Sequence, residues 1–238
     1  MDLGPLLRTD SYDAFLLNPQ DIGGRRLVED GHRGASPEGS WPPFNTKESC
    51  QVGCLNARTM YVTGRSSLVA QEIKRYNLEL AGLSETRWLG CGKVRIDVLF
   101  IYSGKEQGEH ERGVAIALSK KAEKMLEHYE YIDERIVTCR LRGKYANITV
   151  IQVYASTEES GEDEKDEFYE KLTGVIQRVR RHDMLLLMGD FNAKVGRKYD
   201  GFQGTTGKFG IGARNDDGRR LLELCSASGL SITNTFQP

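Results

Sequence analysis

Met184-Leu185-Leu186-Leu187-Met188-Gly189-Asp190-Phe191-Asn192 joins an uninterrupted apolar run to a knot of small and polar residues. Five apolar residues between helical patterns predict a strand buried on both faces, as in parallel sheets. An aspartate directly after such a strand emerges at its carboxyl end, where open α/β sheets place ligands. Gly189 withholds side-chain bulk at that exit. If extended geometry runs on, Asp190 and Asn192 lie on the same side. That pairs an acid able to hold a water or a metal with an amide able to orient a phosphate oxygen. An aspartate in a turn after a strand is also a common structural device, so this stretch alone leaves structure and function equally weighted.

Outward from it, apolar runs of strand length alternate with helical patterns. Residues 51–55, 78–83, 94–101, 114–118, 136–141, 148–154, 184–188 and 230–233 read as strands. Residues 66–76, 120–127, 164–181 and 217–228 read as helices. In the third helix Phe168, Leu172, Val175, Ile176 and Val179 share one face. Arg142 and Gly143 predict a hairpin turn. The fold class that follows is an α/β (α+β) sandwich. Five of the six prolines lie in the first 43 residues, among glycines and without a sustained apolar period. Residues 1–48 therefore read as a mostly disordered extension, and 49–238 as the folded domain.

The 238 residues carry 33 Lys and Arg against 34 Asp and Glu, a formal net charge of -1. Near-neutrality argues against binding a polyanion by overall charge, so any such partner has to be met by a local basic patch. The longest apolar run is far short of the roughly 20 residues a membrane span needs, and early acids at the amino terminus fit neither a secretory nor a transit peptide. Five cysteines without a regular framework suit a reducing interior, hence an intracellular setting, nucleus or cytoplasm. Cys50 and Cys54 lack a second close pair for zinc, and Cys139 and Cys225 read as core residues.

A polar residue closes other strands too: Asn56 after 51–55, Glu85 after 78–83, and Tyr154 at the end of 148–154. Glu85 and Asp190 together supply hard oxygen ligands suited to Mg²⁺, which keeps several waters and lets a phosphate complete its shell. Such an ion stabilises charge on a phosphodiester oxygen while a carboxylate aligns or deprotonates water. Pairing of Glu85 with Arg87, and half-burial of Tyr154, explain those two residues structurally just as well.

Four motifs occur in order: Asn56-Ala57-Arg58-Thr59-Met60, Leu83-Ser84-Glu85-Thr86-Arg87-Trp88, Gln152-Val153-Tyr154-Ala155 and Gly189-Asp190-Phe191-Asn192-Ala193-Lys194. In this the chain resembles the endonuclease/exonuclease/phosphatase superfamily, and more narrowly the apurinic-type endonuclease domain of LINE-type retrotransposons, from about Cys50 to Phe236. The resemblance implies a four-layer sandwich of two β-sheets between helices, and a Mg²⁺-dependent phosphodiesterase that cuts DNA. It also implies roles. Glu85 matches the metal ligand, with Asp190 sharing the metal and aligning or activating the attacking water. Asn56 matches the amide beside metal and phosphate, Asn192 the partner of Asp190 on the phosphate, and Tyr154 the phenol near the scissile group. Asn215 lies near further substrate-side groups, although a helix N-cap explains it equally well.

The superfamily's terminal Ser-Asp-His motif has no counterpart here, and no histidine follows His182. The expectation is a domain lacking its carboxy-terminal strands. Its activity should be reduced or absent, with an uncovered sheet edge open to self-association or a protein partner. Residues 171–220 hold 11 basic and 5 acidic residues, whereas 158–170 hold 8 acidic and 1 basic. Lys194, Arg197 and Lys198 directly follow the Asp190 motif, where they could meet DNA phosphates. Two other readings stand beside the nuclease: an inactive remnant kept as a nucleic-acid or protein interaction module, and a phosphatase acting on a small phosphorylated substrate.

Overall fold

A computed structural model describes residues 50–197 and 201–236 in full and the backbone of 13–17. Eleven strands form two sheets. The first contains β1 (Asp13–Leu17), β7 (Leu126–Asp133), β8 (Ile136–Leu141), β9 (Ile148–Tyr154), β10 (Met184–Asp190) and β11 (Ser231–Ile232), in the order β11-β1-β10-β9-β8-β7. The second contains β2 (Val52–Asn56), β3 (Leu80–Ser84), β4 (Cys91–Ile96), β5 (Val98–Ser103) and β6 (Val114–Leu118), in the order β2-β3-β6-β5-β4. Helices α1 (Arg65–Arg75), α3 (Glu162–Gln177) and α4 (Asp216–Ser228) cover the outer faces, and α2 (Lys120–Glu123) is a single turn.

Period-two alternation sorts the core into three sets. Leu186 and Met188 of β10, Val150 of β9 and Val137 and Cys139 of β8 meet Leu80, Ile101, Val114 and Ile116 of the other sheet. This is the layer between the sheets. The opposite phase, Leu185 and Leu187 with Ile151 and Val153, packs under Phe168, Leu172, Leu221 and Leu222 of α3 and α4. Ala81, Leu83, Phe100 and Ala115 pack under Ala70 and Ile73 of α1. The four-layer sandwich is thus observed: α1, sheet, sheet, then α3 with α4. Cys139 and Cys225 are core residues, as expected.

A buried ion pair ties three strands of the first sheet at the end remote from Asp190. Arg140 Nε and Nη2 donate to Asp183 at 2.6 and 2.9 Å, and Thr149 Oγ1 adds a bond of 2.8 Å. Burial alone would raise the Asp183 pKa; the Arg140 and Thr149 bonds outweigh it and hold the carboxyl below its ordinary range. Its stabilising contribution is therefore present above the unfolded pKa of about 3.9 and lost as pH falls through the lower folded value. Asp183→Ala should cost about 1–3 kcal/mol at pH 7, because it removes two charge-assisted bonds while Arg140 keeps its pairing with Glu127. Urea unfolding at pH 7 and at pH 3 checks this, with the gap between variant and parent narrowing at the lower pH.

Several sequence expectations need correction. The run 94–101 is two strands, because Asp97 at φ 63 reverses the chain between Ile96 and Val98. Helix 120–127 stops at Glu123. The chain then enters β7, an edge strand whose ladder with β8 outweighs its weak helical pattern. Most of the predicted extension 1–48 lies outside the described residues, but Asp13–Leu17 within it pairs antiparallel with β10, Asp13 opposite Asp190. Four apolar residues make too short a run to reveal a strand locally; a partner 170-odd positions away does so. β10 is accordingly flanked on both sides, and the sheet ends are β11 and β7 in one sheet, β2 and β4 in the other. Among the described residues no helix is long and apolar enough to cross a membrane.

Candidate active site

Two parallel strand pairs, β2 with β3 and β9 with β10, bring their carboxyl ends together across the layer between the sheets. Asn56, Tyr154 and Asp190 have the same phase as Val52, Val150 and Met188, which line that layer, so the pleat points all three toward the opposite sheet. Ser84 shares the phase on β3, and its hydroxyl donates to Val153 O at 3.4 Å. Fully buried Gln152 donates to Ser84 Oγ and Val153 O, both at 3.2 Å. A side chain at Gly82 would put its Cβ 1.9 Å from Gln152 Oε1. This polar tie closes the floor beneath the site.

Asn56 is the hinge of the constellation. Its Nδ2 donates to Glu85 Oε1 at 2.7 Å and lies 3.4 Å from Asp190 Oδ2. Two carboxylate oxygens at those distances from one nitrogen are within about 6 Å of each other, close enough to share one cation and its water. Asp190 is 2% exposed. Burial first and the Glu85 charge next raise its pKa, against bonds from Asn192 N and Asn56 that lower it. Gly189, at φ 147, is required there: a Cβ would stand 2.1 Å from Val153 O of the neighbouring strand.

Tyr154 joins the carboxylates from β9. Burial, then the charges of Glu85 and Asp190, push its phenol up to about 12. It stays a protonated donor at neutral pH. Arg135 holds the residue in place, donating to Tyr154 O at 3.2 Å and Ala155 O at 3.1 Å, with its guanidinium 5.7 Å from the ring centroid. Glu164 accepts from Arg135 at 2.6 Å and from Arg112 at 3.0 Å. Part of the acidic run 158–170 is thereby spent on structure. Glu162 and Asp166 likewise pair with Arg220 of α4.

Asn192 sits beyond the strand at φ 49, with its backbone N donating to Asp190 Oδ1 at 3.1 Å. Its amide Nδ2 is occupied by Ala155 O at 3.2 Å and Ser156 O at 3.4 Å. Asn215 is the N-cap of α4, accepting from Gly218 N and from Lys194 N, both at 2.8 Å, while its Nδ2 donates to Asn192 O at 3.3 Å. Both its polar side-chain atoms are engaged, so it fastens the Asn192–Lys194 loop to the helix, the N-cap role that the sequence also offered. Arg197 is exposed, with Nε on Gly210 O at 3.3 Å; Lys198 lies outside the described residues.

Backbone strain gathers here. Of eight non-glycine residues with positive φ among those described, five flank the constellation: Arg58, Thr59, Glu85, Arg87 and Asn192. Such conformations cost about 1–3 kcal/mol each and persist where surroundings impose them, often at functional sites. Sequence patterns do not mark Arg135 or His110. Neither belongs to a motif, and only the folded chain sets them beside Tyr154 and Arg87.

Among the described residues no group of three or more His, Cys, Asp or Glu side chains converges as a metal cluster. Mg²⁺ does not require one, being held by one or two carboxylates plus substrate phosphate and water. The Glu85 and Asp190 donor set fits that coordination.

No family model matches the chain. Craniofacial development protein 2 from Bos taurus is 38% identical over 190 residues, 80% of this chain, and that from Tragulus javanicus is 36% identical over the same length. The chain spans about a third of the length of these curated relatives. The endonuclease domain of TRAS1, a telomere-specific non-LTR retrotransposon, superposes with a TM-score of 0.51 at 17% identity, over 75% of this chain and 72% of that one. An AP endonuclease from Archaeoglobus fulgidus gives 0.50 at 18% identity, over 74% and 69%. The catalytic domain of Xenopus laevis APE2 gives 0.51 at 13% identity, over 73% and 67%. At these identities the structural likenesses establish the fold.

Proposed function

The chain is a homologue of craniofacial development protein 2 with the endonuclease/exonuclease/phosphatase fold, and on that premise we propose that it is a Mg²⁺-dependent phosphodiesterase domain acting on DNA. One observation carries the reading: a single amide, Asn56 Nδ2, bridges Glu85 and Asp190 at the converging ends of four strands. Two acids brought that close repel, and exposed Arg87, 3.3 Å from Glu85 Oε2, offsets only part of that charge, so a further cation between them is favoured. A bound Mg²⁺ would neutralise charge on a phosphodiester oxygen.

The chain's own groups divide the remaining work. Asp190, buried and more basic than an ordinary carboxylate, is suited to orient a water and draw its proton. Tyr154, kept protonated, donates toward anionic oxygen. Asn56 fixes the spacing of the acids. Exposed Arg58 and Arg87, both in the left-handed region, stand on the loops that carry Asn56 and Glu85 and present positive charge to a phosphate backbone.

The Glu85–Arg87 ion pair at 3.3 Å and the engaged amide of Asn192 favour one alternative, a DNA-binding module that cuts slowly or not at all. Incubating the chain with intact and abasic duplexes, with and without Mg²⁺, separates the two. Mg²⁺-dependent nicking supports the enzyme. DNA binding without nicking at any Mg²⁺ concentration supports the module, and absence of both removes DNA as the partner.

A further inference from the structure

The loops that follow Asn56 and Glu85 wall a groove of about 360 Å³ whose lining includes Tyr61, Val62, Trp88, Val94, Ile96 and Tyr102. Tyr61 and Val62 are 60% and 58% exposed, an unusual use of two adjacent apolar residues on a loop. The Tyr61 ring stacks on His110 with centroids 3.6 Å apart and planes 28° from parallel. The other walls are braced. Trp88 Nε1 donates to Met60 O at 3.1 Å, and the indole meets Phe100 and Tyr102 edge to face.

The stack is wired to the acids by short links. His110 Nδ1 is 2.9 Å from Arg87 O, and Arg87 Nη2 is 3.3 Å from Glu85 Oε2. Met60 N donates to Thr86 O at 2.7 Å, so the loop after Asn56 is fastened to the loop after Glu85. Trp88 follows Glu85 by three residues, at most about 11 Å of chain, or about three base steps at 3.4 Å each.

Resting on the DNA reading above, we propose that the Tyr61–His110 pair is a stacking platform for one unstacked nucleobase of the strand whose phosphate lies at Glu85, with the Trp88 groove accepting its edge. Continuity with the carboxylate site selects this occupant, together with charge: exposed Arg58 and Arg87 lie on the same two loops as Tyr61 and Trp88, which line the groove, and suit a phosphate backbone. An aromatic face accepts any base, so the platform contributes position along the strand and not sequence choice.

The test uses the full chain and an oligonucleotide carrying 2-aminopurine at each of three positions beside an abasic site. Ca²⁺ replaces Mg²⁺ to load the acids, and anisotropy and 2-aminopurine fluorescence are read together. The parent should quench the probe at one position. Tyr61→Ala should lose that quench and about 5- to 150-fold in affinity, while Tyr61→Phe keeps both. His110→Ala gives a second variant with a smaller loss in the same direction, and thermal melts confirm that each is folded. Equal affinity and equal quenching in the parent and Tyr61→Ala would overturn the platform and leave DNA binding standing. Failure of the parent to bind the oligonucleotide at all would overturn the platform and the DNA reading together.

Discussion

Asp190→Asn should reduce Mg²⁺-dependent nicking by about 10²- to 10⁴-fold, the range for removing a positioned general base or a charge-stabilising group, without lowering the melting temperature of the metal-free protein. The two halves of that expectation come from one fact. Asp190 is 2% exposed and its charged form is disfavoured by burial and by Glu85. A neutral amide of the same shape relieves that penalty and can still accept from Asn192 N, at the loss of the long 3.4 Å bond from Asn56 Nδ2. Sites built this way trade stability for activity. A nicking assay paired with a thermal melt checks both; a melting temperature several degrees lower would show Asp190 to be a structural acid held by its neighbours.

The second large effect concerns groups that the sequence does not contain. Appending a carboxy-terminal segment of family type, ending in Ser-Asp-His, should raise the nicking rate of these 238 residues by about 10²- to 10⁴-fold. The reason is chemical. On the proposed reading Asn56, Glu85, Tyr154 and Asp190 would supply a cation site, a basic carboxylate and a neutral donor, but none of the four is an imidazole able to move a proton easily at pH 7. His182 is not a substitute, because it precedes Met184 at the opposite end of β10 from Asp190. Equal rates from the two proteins would show that the motif is dispensable here.

Legibility of the fold followed burial. The strands 114–118, 136–141 and 148–154 lie in sheet interiors, covered on both faces, and their apolar runs end where the ladders end. β4 and β7 are sheet edges with half-exposed faces, so alternation is diluted and neighbouring helical or hairpin signals compete. β1 owes its existence to pairing with β10, a property of no local window.

The same division runs through the site. Asn56, Glu85, Tyr154 and Asp190 could be picked out because each stands where an apolar run meets a polar residue, and the fold then gathers all four. Asn192 was picked out by the same rule, yet its amide turns to the carbonyls of Ala155 and Ser156. The left-handed φ of Asn192 breaks the extended geometry that the expectation of a shared side assumed. Arg135 and the Tyr61–His110 stack carry no motif. Their places depend on loops crossing from other strands, which spacing along the chain cannot express.

Whether Glu85 and Asp190 share one cation is decided by titrating Mg²⁺ into the parent chain and into Glu85→Gln and following heat, with no substrate present. The parent should bind weakly and with one ion per chain, and Glu85→Gln should bind measurably more weakly still, since one of two carboxylate ligands has lost its charge. An unchanged titration in Glu85→Gln would contradict the shared site, and the metal-dependent reading would fall with it.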